Sequence, residues 1–172
     1  MTAYVALLRG VNLLGVSTIK MADLRAIAES LGLHSPRTFI ASGNLLFLSN
    51  EHEQAIQAML EGRLAQHMAR KIRAMVRTAE EMAAVVRANP FPDSPGPSVQ
   101  AFFLDGAPPA DLLDTVRNQE DERVAAGTRE VYVAYGEKGI GRSRLRIPAA
   151  EAGTARNMNT VAKLAELARE LA

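Results

Sequence analysis

Eight polar side chains of this sequence lie in predicted loops beside strands or at the start of a predicted helix, where proteins commonly present binding groups. They are Arg9, Asn12, Ser42, Asn44, Arg156, Asn157, Asn159 and Lys163. Guanidinium, ammonium, amide and hydroxyl groups donate hydrogen bonds to anions such as phosphates and carboxylates. If the eight converge, the sequence predicts a polar cleft between two halves of the chain that binds an anionic or nucleotide-like ligand.

The first loop follows a predicted strand and supplies two of these residues. Arg9 ends the strand and Asn12 follows three residues later, between Gly10 and Gly15. The two glycines have the spacing of a phosphate loop, but Val16 stands where such a loop needs a lysine to reach the phosphates. The pattern therefore favours a plain connection from strand to helix, in which the glycines supply backbone freedom.

A predicted hairpin turn supplies Ser42 and Asn44 on either side of Gly43. Turn chemistry alone explains the triplet if Gly43 takes a positive φ and the flanking side chains bond the backbone. A turn needs only one or two such residues, however, so the triplet also fits a binding role. The sequence leaves both interpretations open.

The start of the last helix supplies the remaining residues. Arg156, Thr160 and Lys163 fall at i, i+4 and i+7 on a helix, with Asn159 beside them. Cations in a first turn oppose the helix dipole, whereas an anion there would meet backbone N–H groups and both cations. The alternative is a solvated polar face with Asn157 as the helix cap.

Composition excludes several kinds of chemistry. The chain has no cysteine, which rules out disulfides, thiol catalysis and cysteine-based metal sites. None of its three histidines has a partner at metal-ligand spacing, so the sequence predicts no metal site and no cofactor. No acid–base pair or triad is visible from spacing, which leaves an enzymatic class unassigned.

Charge and aromatic content argue against a dedicated nucleic-acid protein. The 20 basic and 19 acidic residues give a net charge of +1, and only 5% of the chain is aromatic. No RNA-binding strand motif is present, so sequence-specific nucleic-acid binding has no support. Basic residues between 63 and 77 still leave weak phosphate contact open.

The first half shows the element order that would position the first two loops. Strands are predicted at residues 3–8, 37–41, 44–49 and 71–77, with helices at 21–31 and 51–70. This βαββαβ order is the ferredoxin-like pattern. The strand at 3–8 is apolar on both faces, so we expect its second face to meet the other half or a partner chain.

The second half repeats most of that order. We expect a ferredoxin-like subdomain over 1–78, a helix and proline-rich linker over 79–97, and a related βαββα subdomain over 98–172 that ends in a helix. Residues 136–153 are predicted to be a loop. The fold class is therefore α+β with mainly antiparallel sheets.

Four segments in order carry a family resemblance: YVALLRGVN at 4–12, KMADLR at 20–25, RTFIASGNLLF at 37–47 and RNMNTVAKL at 156–164. They resemble the signature segments of the bacterial domain of unknown function (DUF) 1697 family. The resemblance implies ferredoxin-like α+β subdomains and no assigned activity. The family usually has Trp where this chain has Met158, and commonly Gly in place of Leu14. If that Trp stacks on a ligand, Met158 puts the ligand in doubt here, whereas Met is a tolerable replacement if the Trp anchors the core.

Function is predicted from these patterns in order of preference. The first hypothesis is a cytoplasmic binding module for an anionic small molecule or nucleotide. The alternatives are an enzyme of unassigned class at the same cleft, and a structural or oligomerising role in which the motifs lock parts of the chain together. No apolar run approaches the ~20 residues of a membrane span, so no membrane association is expected. The oligomeric state stays open.

Overall fold

The computed structural model describes residues 1–12, 15 and 18–172. The first half contains β1 (Thr2–Leu8), α1 (Met21–Ser30), β2 (His34–Thr38), β3 (Asn44–Ser49), α2 (Glu53–Met68), β4 (Ala74–Thr78) and α3 (Ala79–Arg87). The second half contains β5 (Val99–Phe103), α4 (Leu112–Thr115), β6 (Arg123–Ala126), β7 (Glu130–Ala134), β8 (Thr154–Asn157) and α5 (Met158–Leu171).

The strands form two four-stranded sheets with the same internal order. The first sheet runs β2-β3-β1-β4 and the second β6-β7-β5-β8. Every neighbouring pair is antiparallel. The predicted α+β class with ferredoxin-like halves and antiparallel sheets is confirmed.

The chain divides into two compact units. Unit 1 comprises residues 1–83 and 164–172, and unit 2 comprises residues 84–163. Each unit contains one of the two sheets.

The core of unit 1 follows from the alternation along its strands. Tyr4 and Phe47 lie on one face, with their rings stacked at 5.9 Å between centroids. The apolar stripes of α1 and α2 pack on that face through Leu24, Ile27, Ile56, Leu60 and Leu64. The opposite face is also buried, since Val5 and Leu7 are 0% exposed. This second face is therefore not left in water, as the apolar pattern indicated.

Unit 2 contains a strand that the sequence prediction lacked. The predicted βαββα order omitted β8, because Thr154–Asn157 is short and shows no apolar alternation. Its pairing with β5 decides its conformation. The first helix of the predicted order is present as α4, but it is short, with only the 4 residues Leu112–Thr115. Between β7 and β8 there is no α-helix, only the short 3₁₀ turns Ile140–Arg142 and Pro148–Ala150.

The first strand of the unit 1 hairpin also differs from its prediction at 37–41. It spans His34–Thr38, and the turn is longer than predicted. Ile40 takes a left-handed φ of 49°, and the Phe39 N–H donates to the Asn44 carbonyl at 3.1 Å. The chain therefore leaves the sheet before residue 41.

Within the described part of the chain, every helix is too short or too polar to cross a membrane.

Candidate functional site

Three segments of unit 1 meet at the end of its sheet where β1 stops and β3 and β4 begin. The Leu8 N–H donates to the Gly43 carbonyl at 2.8 Å, and the Arg9 N–H donates to the Arg73 carbonyl at 2.9 Å. These bonds bring together residues 9–12, 41–44 and 70–73, which we call the loop cluster. Arg9, Asn12, Ser42 and Asn44, predicted from two distant motifs, all belong to it.

Asn12 ties the first loop to the hairpin turn. Its Oδ1 accepts from the Ile19 N–H at 2.8 Å, and its Nδ2 donates to the carbonyls of Ile19 at 3.2 Å and Ala41 at 2.5 Å. Asn12 takes a left-handed φ of 56°, which Asn tolerates better than most residues. The amide therefore closes its own loop and joins it to the turn. Val16, which stands where a phosphate loop would need a lysine, lies outside the described residues.

Asn44 organises the hairpin turn from inside. Its side chain is fully buried, and its Nδ2 donates to the Phe39 carbonyl at 3.0 Å and to Ser42 Oγ at 3.1 Å. Both amide N–H groups are thus used within the turn. The turn-chemistry interpretation of the Ser-Gly-Asn triplet explains these contacts.

Position 43 requires a glycine for two reasons, its backbone conformation and the lack of space for a side chain. Its φ of 84° is left-handed. A Cβ there would collide with Val11 Cγ2 and lie 2.9 Å from Leu8 Cβ. The turn can approach β1 this closely only without a side chain.

The loop cluster presents positive charge to solvent. Arg9 and Arg70 are exposed, and Arg70 Nη2 donates to the Gly10 carbonyl at 2.7 Å. This bond holds the Arg70 guanidinium beside the first loop. Arg70 was not among the predicted site residues, although the run of basic residues before β4 contained the signal.

Two further cations and one acid complete this charge distribution. Lys71 is exposed, and Arg73 is 33% exposed with its Nε 3.5 Å from Glu61 Oε1. Glu61 also accepts from the Ala74 N–H at 3.0 Å. Glu61 is therefore paired with Arg73, while Arg9, Arg70 and Lys71 add exposed positive charge to the cluster.

Arg156 of unit 2 lies inside a sheet. It belongs to β8 opposite Ala101 and is 8% exposed. Its Nη1 donates to Thr154 Oγ1 at 2.7 Å and to the Ala155 carbonyl at 2.9 Å. Burial lowers the pKa of Arg156 to about 10, which leaves the guanidinium charged at neutral pH. The predicted helical face of Arg156, Thr160 and Lys163 is wrong, because Arg156 precedes the helix.

The other three predicted residues of unit 2 lie around the start of α5. Asn157 Oδ1 accepts from the Thr160 N–H at 3.0 Å, which confirms the interpretation of Asn157 as the helix cap. Asn159 is exposed, and its side chain packs where a Cβ of Gly96 would lie. Lys163 is exposed on the next turn of the helix.

The passage from β8 into α5 has a counterpart in the first half. Arg77 is the penultimate residue of β4 and pairs with Val5, as Arg156 does in β8 with Ala101. Each arginine is buried and donates from Nη1 to the carbonyl of the preceding residue, at 3.0 Å and 2.9 Å. This repetition indicates that Arg156 has a structural role that the two similar halves share.

The helix caps repeat in the same way. Thr78 Oγ1 accepts from the Glu81 N–H at 3.1 Å, and Glu81 Oε2 accepts from the Thr78 N–H at 2.8 Å. These two reciprocal bonds form a capping box at the start of α3, in which the Thr and the Glu stand three residues apart. Thr78 and Asn157 therefore each cap a helix that follows the last strand of a sheet without a loop.

The eight predicted site residues thus fall into two groups, four in the loop cluster of unit 1 and four in unit 2. That both groups line one cleft stays a prediction. No three His, Asp or Glu side chains in the described ranges come together to hold a metal ion.

The fold defines the class: an α+β protein of two similar halves, each with a four-stranded antiparallel sheet in ferredoxin-like order. Residues 1–132 match the family described as "Protein of unknown function (DUF1697)", and the chain belongs to this family. The resemblance to this family is thereby confirmed, and the first three of the four sequence segments lie within the matched residues.

A solved structure shares the whole architecture. The conserved bacterial protein SP0830 from Streptococcus pneumoniae superimposes with a TM-score of 0.78 at 22% identity, over 97% of this chain and 98% of that protein. At this identity the likeness establishes the fold alone. No curated protein matches the sequence.

Proposed function

We propose that the protein is a binding module for an anionic, nucleotide-like ligand, and that the loop cluster of unit 1 carries the charge that attracts it. The observation that supports this proposal is the convergence of three separate segments at one end of the sheet. Each segment brings polar or cationic groups, and backbone bonds between Arg9 and Arg73 and between Leu8 and Gly43 hold the segments together.

The charges suit a phosphate or carboxylate. Arg9 and Arg70 are exposed, and the Arg70 guanidinium is oriented by its bond to the first loop. Arginine binds such groups through parallel N–H donors, which gives both strength and orientation. Because the loops are tied to each other and to the sheet, a ligand would meet an organised site and lose less free energy to ordering it.

Asn12 and Asn44 have a different role in this proposal. Their amide groups bond backbone carbonyls or the neighbouring Ser42, so they position the loops that carry the arginines. These bonds also support the structural alternative for the same motifs, in which they only lock the fold. If the cluster binds a ligand, replacing an arginine should lower the affinity for that ligand. If the motifs only lock the fold, replacing an arginine should leave affinity unaffected, and replacing an asparagine should lower stability under either role.

Calorimetric titration of the full chain with pyrophosphate and with ADP tests the proposal. We expect Arg9→Gln and Arg70→Gln each to weaken binding about tenfold, which corresponds to ~1.4 kcal/mol. Both variants should stay folded, and Arg70→Gln should lower the melting temperature slightly, because it loses the bond to the Gly10 carbonyl. Arg169→Gln removes an exposed cation from the end of α5 and is the matched control. Binding should also weaken as salt is raised.

Two outcomes would contradict the proposal. One is the absence of a binding isotherm for either probe at low salt. The other is an equal loss of affinity in Arg70→Gln and Arg169→Gln, since that would mean attraction by net charge without a site.

A further inference from the structure

We infer that unit 2 contains a second binding site, a cavity that takes a small carboxylic acid with one ring-sized apolar group. The cavity has a volume of about 160 Å³. Phe102 and Tyr135 line it from the sheet, and Leu145 and Ile147 line it from the segment that covers the sheet. The site uses none of the residues of the loop cluster and does not depend on the function proposed above.

A difference between the two halves explains why the cavity exists. In unit 1 the connection between β3 and β4 contains α2, a helix of 16 residues that packs on the sheet. In unit 2 the corresponding connection, between β7 and β8, contains only two 3₁₀ turns of 3 residues each. This thinner cover packs on the sheet through Leu145, Ile147 and Ala150 and leaves a void beside them.

The size and the lining select the apolar part of the ligand. The cavity is partly open to solvent, on the side where Arg146 and Glu151 are exposed. An apolar cavity of roughly 150 Å³ is large enough to bind benzene. Phe102, Leu145 and Ile147 supply apolar walls of this kind. A single six-membered ring therefore matches the space, whereas a nucleotide exceeds it.

An ion pair at the solvent side selects the charged part. Arg146 Nη2 donates to Glu151 Oε1 at 2.7 Å, and the two side chains are 66% and 54% exposed. The backbone of Arg146 is held by two hydrogen bonds to Arg117, both 2.9 Å long. A guanidinium has several N–H donors, so Arg146 can bind a ligand carboxylate beside Glu151.

Tyr135 adds a polar group on the sheet side of the cavity. Its hydroxyl donates to Gln100 Oε1 over a long 3.4 Å. Burial, together with the charge of Glu122, raises the pKa of Tyr135, so the hydroxyl stays protonated and able to donate. A phenol has one donor proton, so Tyr135 donates to a ligand carboxylate when that carboxylate replaces Gln100 as the acceptor of this long bond.

The test is a ¹⁹F NMR titration of the full chain with 4-fluorobenzoate, with 4-fluorobenzylamine as the probe of opposite charge. We expect saturable binding of the acid and weaker or no binding of the amine. Arg146→Gln should weaken acid binding about tenfold. Glu151→Gln should strengthen it, because the ligand carboxylate then no longer competes with the Glu151 carboxylate for the Arg146 guanidinium. Arg144→Gln removes a neighbouring exposed cation that does not line the cavity and should change nothing.

Ala150 provides a test of the cavity itself. Ala150→Leu fills the space from the covering segment and should abolish binding of the acid. An unchanged far-UV circular dichroism spectrum and a cooperative melt would show that Ala150→Leu is folded. Tyr135→Phe is a second, milder change and should weaken binding of the acid. The inference is overturned if 4-fluorobenzoate shows no saturable binding, if the amine binds better, or if Arg144→Gln and Arg146→Gln lose affinity equally. Pyrophosphate should not displace the acid, which separates this result from that at the loop cluster.

Discussion

Replacement of Asn44 by Ala should destabilise the protein more than its place in a turn suggests. The side chain is fully buried, and its Nδ2 donates to the Phe39 carbonyl at 3.0 Å and to Ser42 Oγ at 3.1 Å. Its backbone also pairs with Leu7 at the end of β1. Removal of the amide therefore leaves the turn without the group that holds it against the sheet.

The expected magnitude follows from these two bonds. Each contributes about 1 kcal/mol net, and the cost rises when a partner is left without a hydrogen bond in a partly buried site. We expect a loss of about 2–3 kcal/mol in the free energy of unfolding. For a chain of this length that corresponds to a fall of roughly 4–12 °C in melting temperature.

Urea denaturation followed by circular dichroism measures this change. A lower midpoint with an unchanged slope indicates a loss of stability at constant buried surface. Ser42→Ala is the matched control: it removes an acceptor of the Asn44 amide at a partly exposed position and should cost less than about 1 kcal/mol. A value for Asn44→Ala within about 0.5 kcal/mol of the wild type would refute the argument that the amide holds the turn.

Three further predictions rest on other contacts. Gly43→Ala should cost at least about 2 kcal/mol because strain and collision combine, whereas Gly32→Ala, with a φ of 75° but open space around its Cβ position, should cost about 1 kcal/mol in the same denaturation assay. Asn157→Ala should cost about 1 kcal/mol through loss of a helix cap, and Asn157→Asp should keep most of it. Burial alone would raise the pKa of Glu122, but hydrogen bonds from Ser143 and from backbone N–H groups lower it below the ordinary 4.5. Its stabilising contribution is thus present above that value and lost as the pH falls below it, so Glu122→Gln should flatten the acid side of a plot of stability against pH.

Local patterns in the sequence were enough for most of the secondary structure. Alternating apolar residues in β1 and the 3.6-residue spacing in α1 and α2 follow from the need to bury one face of each element. The capping box of Thr78 and Glu81 was also readable, because both partners lie within one turn. These features depend only on neighbours in the chain.

The errors occurred where the partner is distant in sequence. Thr154–Asn157 forms a strand because β5 pairs with it, and that pairing moves Arg156 from a predicted helical face into a sheet. The same pairing shows that Arg156 occupies the position in unit 2 that Arg77 occupies in unit 1. The two halves have no visible sequence identity from which this equivalence could be predicted. A short polar strand carries too little local signal to be recognised without its neighbour.

The candidate sites show the same division. The sequence by itself identified Arg9, Asn12, Ser42 and Asn44 as unusual, because amides and cations at loop ends are recognisable from type and position. Only the tertiary structure decided that Asn12 and Asn44 bond the backbone while Arg9 and Arg70 face solvent. Whether a polar side chain holds the fold or meets a ligand depends on which groups lie within about 3 Å of it, and chain segments far apart in sequence supply those groups.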